Sequence, residues 1–218
     1  MTSPRAAARA TLAAAAVVVT ACASLPEQAD PARVHTGRFA ATTTLDGRSE
    51  NTTGRFTLVV RGPRLQLDLA TPIGTTLARI ESGPDGALLR TSTADGLEEA
   101  RGRDAQALAE QVLGWPLPVA GIGDWILGRP APASSSRTQS EDGRIRAIEQ
   151  DGWTIEIAER FDTGDPRRLV FTRAARPGGP LTPPAPAITL RLVLDAPSTS
   201  TPRAAAPVPA ETQSRNLP

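Results

Sequence analysis

The chain has no lysine and no tyrosine, one histidine, one cysteine and four phenylalanines among 218 residues. Each scarcity closes off a class of function. A single cysteine cannot form an internal disulfide, so the fold must stand on packing alone. The lone histidine, His35, has no serine motif or second ligand beside it, and reads as a structural or solvated residue. No metal-ligand spacing, phosphate-binding glycine loop or Gly-x-Ser-x-Gly elbow occurs. Neither an enzyme nor a bound metal or cofactor is therefore expected. No run reaches the roughly 20 apolar residues that a membrane-spanning helix needs. Basic and acidic residues nearly balance, 24 against 23, with arginine as the whole of the basic set, which argues against a nucleic-acid partner.

What is present begins with a targeting signal. Arg5 and Arg9 precede a short uncharged run from Ala10 to Val19, the layout of an export segment. Val19-Thr20-Ala21-Cys22 follows and resembles the bacterial lipobox, in which the bond before the cysteine is cut and the cysteine is acylated on its sulfur and its new amino group. The competing explanation is an ordinary secretory signal with an incidental cysteine. Residues 1–21 are expected as the signal peptide and 22–32, polar and proline-punctuated, as a lipidated tether. Residues 196–218, rich in Pro, Ala and Ser, lack both apolar periodicity and turn grammar and are expected to form a disordered tail.

Residues 33–195 read as one domain built from a meander of antiparallel strands. Phe39, Ala41, Thr43 and Leu45 share a face, as do Phe56, Leu58 and Val60, and then Leu65, Leu67 and Leu69. Leu77 through Ile80, Ala87 through Leu89, the Trp153-Ile155-Ile157 set, the Leu169-Phe171 pair and Ile188 through Leu194 continue the series. Turn formers such as "LDGRSE", "RGPR", "SGPDG", "EDG" and "DTGDP" separate the runs. One segment breaks the pattern: Asp104 can cap a helix with an apolar stripe through Ala105, Leu108, Ala109 and Val112, stopped by Gly114. A second short piece carries Ile122, Trp125 and Ile126. The fold is therefore expected to be mainly β, a curled sheet with a helical insert that plugs or covers it. Its aliphatic inner faces suit acyl chains, and equally a plain core packed on the insert.

Ile73 stands apart. It lies between Pro72 and Gly74 in "LDLATPIGTTLARI", where a hairpin tip would normally be polar, and by itself it reads equally as an exposed tip or as a core residue.

Together these segments resemble the LolB family of outer-membrane lipoprotein receptors. The lipobox, the Leu-rich strand with its Pro-Ile-Gly-Thr loop, and above all "DAQALAEQVLGWPLPVAGIGDWILGRP" with Trp-Ile-Leu-Gly at Trp125 to Gly128 carry the likeness, over roughly residues 33–195. The resemblance implies a half-closed antiparallel β-barrel of about eleven strands enclosing an apolar cavity covered by helices. It implies a lipid-anchored protein on the periplasmic face of the outer membrane, a monomer that accepts acylated lipoproteins from a LolA-like periplasmic carrier and inserts them among outer-membrane phospholipids. Ala23 after the cysteine, where an aspartate would retain a lipoprotein in the inner membrane, agrees with that destination. Site residues follow from the same comparison. Cys22 would carry the acyl chains, and Pro72, Ile73 and Gly74 would form the membrane-insertion loop. Phe39, Phe56, Leu58, Leu65, Leu67, Leu69, Leu108, Val112, Trp115, Trp125, Ile126 and Trp153 would form the acyl cavity and its lid. A scaffold lipoprotein with a filled core, or a carrier of free lipids, is the alternative.

Overall fold

The computed structural model describes residues 31–93, 96–179 and 183–197. Cys22, residues 1–21, most of the tether and nearly all of the C-terminal tail lie outside these.

Eleven strands form one antiparallel sheet. They are β1 (Arg33–Leu45), β2 (Arg48–Arg61), β3 (Arg64–Ala70), β4 (Thr76–Gly83), β5 (Gly86–Thr93), β6 (Gly96–Gly102), β7 (Ser136–Glu141), β8 (Arg144–Gln150), β9 (Trp153–Arg160), β10 (Pro166–Arg173) and β11 (Ala187–Leu194). Their spatial order is β6-β5-β4-β3-β2-β1-β11-β10-β9-β8-β7. Two meanders are thus joined where the first strand pairs the last, and β6 and β7 remain free edges. The sheet curls without closing, as the half-open barrel expectation requires. Helix α1 (Ala105–Leu113) and the single turn α2 (Ile122–Trp125) connect the two free edges and cover the concave face.

Local chemistry explains the turns. Asp46-Gly47, Asp142-Gly143 and Asp151-Gly152 all have positive φ at both residues, the two-residue hairpin geometry that matches strand twist and that Asp-Gly tolerates best. In α1 the Asp104 carboxylate accepts from the Ala107 amide at 2.6 Å, and Gly114 closes the helix in the left-handed region, which satisfies otherwise orphaned backbone groups at both ends.

Alternation places Phe39, Ala41, Phe56, Leu58, Leu67, Ile80, Leu89, Ile155, Leu169, Phe171, Leu190 and Leu192 in one continuous core with Leu108, Ala109, Ile122, Trp125 and Ile126 of the insert. Two glycines let the sheet coil tightly at its centre. Gly37 faces Phe56 and Gly54 faces Phe39 across the β1–β2 ladder. A Cβ on Gly37 would lie 2.2 Å from the Val193 carbonyl and 2.8 Å from the Phe56 ring; one on Gly54 would lie 2.1 Å from the Ala70 carbonyl and 2.7 Å from the Phe39 ring. Each ring covers the backbone that the opposite glycine leaves bare.

Charged side chains pair on the convex side, where Asp68 meets Arg79, Arg90 bridges Glu81 and Glu99, and Glu159 meets Arg168. Arg79 and Arg90 donate to the Asp68 and Glu99 carboxylates respectively, and these hydrogen bonds raise the pKa of each arginine. Exposed pairs of this kind add little to stability, and they mark the outside of the barrel. No helix among the described residues is long and apolar enough to cross a membrane.

Candidate functional site

The antiparallel order sorts the connections into two ends. The described chain begins and finishes at one, together with the Gly62-Pro63, Pro84-Asp85 and 161–165 turns. The Asp46-Gly47 hairpin, the 71–75 loop, the Asp151-Gly152 turn and the β10–β11 connection lie at the other.

At that second end the β3–β4 loop is a compact built turn. The Gly74 amide donates to the Thr71 carbonyl at 2.9 Å, the Thr71 amide to the Thr75 carbonyl at 2.8 Å, and the Thr75 amide to Thr71 Oγ1 at 3.0 Å. Pro72 pre-sets the first turn position, and Gly74, at φ 96°, supplies the left-handed residue that returns the chain to β4. Ile73 occupies the apex and is 91% exposed. Burying nothing at home, it contributes no packing energy, and a branched side chain at such an apex has little freedom to fold back.

The interior is lined by Phe39, Phe56, Leu67, Leu69, Leu190 and Leu192 from the sheet and by Trp115, Leu117, Pro118 and Ile122 from the connecting strap of residues 115–135. Between them lies a void of about 20 Å³ with wholly apolar walls. That is room for about one water, whereas ligand pockets run from about 300 Å³ upward. This is a closed arrangement, and a ligand the size of a long hydrocarbon chain would fit only with the strap displaced.

The void thus gathers Phe39, Phe56, Leu67, Leu69 and Trp115 from the sequence-based set. Leu58, Leu108, Trp125, Ile126 and Trp153 are buried in the surrounding core, and Leu65 and Val112 pack against it partly exposed. Leu117, Pro118, Ile122, Leu190 and Leu192 are wall residues outside that set. The alternation of β11 signalled the last two, while nothing periodic marks Leu117 or Pro118.

One side of the strap is pinned by a buried amide. Gln150 Oε1 accepts from Trp125 Nε1 at 2.7 Å and from the Ala131 amide at 2.9 Å, and Gln150 Nε2 donates to the Ala131 carbonyl at 2.7 Å and to Ser134 at 2.9 Å. Trp125 also packs tilted on Phe171, 6.3 Å between ring centres. The end of α1 is tied to the β10–β11 connection by a Glu110–Arg176 ion pair at 2.7 Å. Among the described residues no hydrogen bond joins residues 115–122 to β1, β2, β3 or β11.

His35 lies at the opposite end of the barrel, beside a groove shared with Ile126, Phe161 and Leu194. Its Nε2 has no hydrogen-bond partner. Burial, reinforced by Arg33, lowers its pKa below the usual 6.5, and Asp165 opposes this weakly. No group of three or more His, Cys, Asp or Glu among the described residues is placed to hold a metal.

An apolar interior beneath a strap and an exposed isoleucine on a rigid tip are the features that comparison with known proteins must explain. Residues 34–196 match the family described as Outer membrane lipoprotein LolB. Proteins named Outer-membrane lipoprotein LolB from Cupriavidus pinatubonensis and Cupriavidus necator are 33% and 34% identical, each over 83% of this chain and 90% and 91% of their own length. Another with that name, from Bordetella petrii, is 38% identical over 81% of this chain and 86% of its own. The chain belongs to the LolB family of outer-membrane lipoproteins.

Proposed function

We propose that this protein is an outer-membrane receptor that takes acylated lipoproteins from a LolA-like periplasmic carrier into its apolar interior and delivers them to the bilayer phospholipid. It acts as a monomer and performs no covalent step. The observation that carries the proposal is Ile73, 91% exposed on a turn rigidified by three hydrogen bonds, at the rim of a barrel whose interior is wholly apolar.

Energetics explain why the two features belong together. Burying a methylene is worth about 0.8 kcal/mol, so one long acyl chain gains more than about 10 kcal/mol. A receptor holding cargo that strongly cannot release it into water. It can pass the chain to a bilayer that offers the same burial, and must touch that bilayer to do so. An inserted isoleucine contributes about 1.5–3 kcal/mol, enough to orient the rim and too little to trap the protein. Transfer then runs downhill from carrier to receptor to membrane.

Lipidation of Cys22, after removal of residues 1–21, keeps the protein at the membrane. The tether joins the barrel at the end opposite Ile73. Between the level where Arg33 pairs Val60 and the level where Arg55 pairs Ala70 lie five residues of β2, roughly 17 Å. A tether of residues 22–32 reaches at most about 36 Å when extended, so it is long enough for the anchor and the Ile73 tip to engage one bilayer together.

The small void favours a second reading, a scaffold lipoprotein with a filled core. Mixing the acyl-free domain with carrier loaded with a lipoprotein separates the two. Cargo leaving the carrier for this domain supports the receptor; cargo that stays on the carrier, with no uptake of a fluorescent fatty acid by the domain, supports the scaffold.

A further inference from the structure

At the same end of the barrel as Ile73, two buried hydrogen-bond donors stand beside each other without acceptors. Arg173 is the last residue of β10 and follows Leu169 and Phe171 on the inward face. It pairs with Ile188 of β11, two residues from Leu190, a wall of the apolar void; two strand residues span about 7 Å. Its guanidinium carbon lies 5.5 Å from the centre of the Trp153 ring. Trp153 is only 1% exposed, and neither its Nε1 nor Arg173 Nη1 has a hydrogen-bond partner.

The nearby acceptors do not bond this pair. Gln150, opposite Trp153 in the β8–β9 ladder, spends its amide on Trp125, Ala131 and Ser134. Asp151 accepts from Ser134 Oγ at 2.9 Å. None of the ion pairs among the described residues includes Arg173. Stacking of a cation on an indole recovers part of the cost of burial, but leaves the N–H groups unanswered, and buried donors normally find acceptors. Trp125, the neighbouring buried indole, does so through Gln150.

We infer that Arg173 and Trp153 form a polar receptor for oxygen acceptors at the head of an acyl chain, namely the ester carbonyls at the root of the cargo's diacylglyceryl group. The proposal rests on the acyl-receptor function above. Chains lying in the apolar interior would bring their ester carbonyls to the rim at the level of Ile188, where one and two strands across a charged and a neutral N–H wait. Hydrocarbon burial then supplies affinity, and this pair sets how far the chains enter and which head group is accepted.

Binding of a triacylated lipopeptide and of its ether-linked analogue, in which the two ester carbonyls are replaced by methylenes, tests the assignment, with diphenylhexatriene as a hydrocarbon probe lacking oxygen. Wild type should bind the ester form about tenfold or more tightly than the ether form, the range of a hydrogen bond to a charged group. Arg173→Ala should cut that difference to the few-fold that the Trp153 N–H alone can supply, while binding diphenylhexatriene like wild type. Arg173→Gln, which keeps N–H donors and most of the stem, should retain part of it. Equal affinity of wild type for ester and ether forms overturns the assignment without recourse to any variant, as does undiminished discrimination by folded Arg173→Ala. If wild type binds neither lipopeptide nor diphenylhexatriene, the acyl-receptor function itself falls, and this site with it.

Discussion

The strap of residues 115–135 meets the barrel in two different ways. Its later part is pinned to β8 by the Gln150 network, five hydrogen bonds in a buried setting. Its earlier part, Trp115 to Ile122, touches β1–β3 and β11 through apolar contacts alone, around the residual void. A buried hydrogen bond resists displacement because both partners lose an acceptor or donor at once, whereas an apolar contact is non-directional and can be exchanged for an acyl chain at little net cost. Of the two sides, only the apolar one makes contacts that an apolar ligand could replace.

The largest predicted effect breaks the pinned side. Gln150→Leu leaves the Trp125 indole N–H and both Ala131 backbone groups unpaired, and should cost about 3 kcal/mol in urea unfolding; a loss below about 0.5 kcal/mol would mean that the network does not hold the strap. On the apolar side, Leu117→Ala removes a nearly buried side chain next to the void. Stability should fall by about 2 kcal/mol while binding of a hydrocarbon fluorophore rises, since the cavity grows. Loss of both stability and binding would show that Leu117 is ordinary core.

A weaker effect comes from His35, at the opposite end of the barrel from Ile73. Its folded-state pKa lies below the unfolded value, so the unfolded chain binds more protons under about pH 6.5. Stability should therefore drop as the pH falls through 6.5 toward the lowered folded value, then level off. His35→Gln should flatten that part of the urea-midpoint profile, and an unchanged slope would locate the titration elsewhere.

These effects also mark what can be read from residues alone. Alternation disclosed the strands that carry one apolar face, and Asp104 and Gly114 disclosed both ends of α1, because caps and pleats are local chemistry. Strands β6, β7 and β8 escaped: β6 and β7, as free edges, are almost wholly exposed and show no buried face for periodicity to detect, and β8 buries only Ile148 and Gln150 fully, the second a polar residue. The Pro72-Ile73-Gly74 tip was visible as an anomaly, though its exposure depended on the turn. Leu117 and Pro118 became wall residues only when the strap folded back over the sheet. Gln150 gives no local sign that it will meet Trp125, 25 positions away, and Arg173 reads as one more surface arginine until β10 is seen to turn it inward.

Changing Ile73 should have the smallest effect on stability, since the side chain packs against nothing at home, and the greatest effect on delivery. The most direct measurement loads wild type and Ile73→Glu with a fluorescent triacylated lipoprotein and follows insertion into phospholipid liposomes. The two proteins should take up cargo equally and unfold at the same urea concentration, with insertion from Ile73→Glu reduced at least tenfold. Insertion by Ile73→Glu at the wild-type rate would contradict the account.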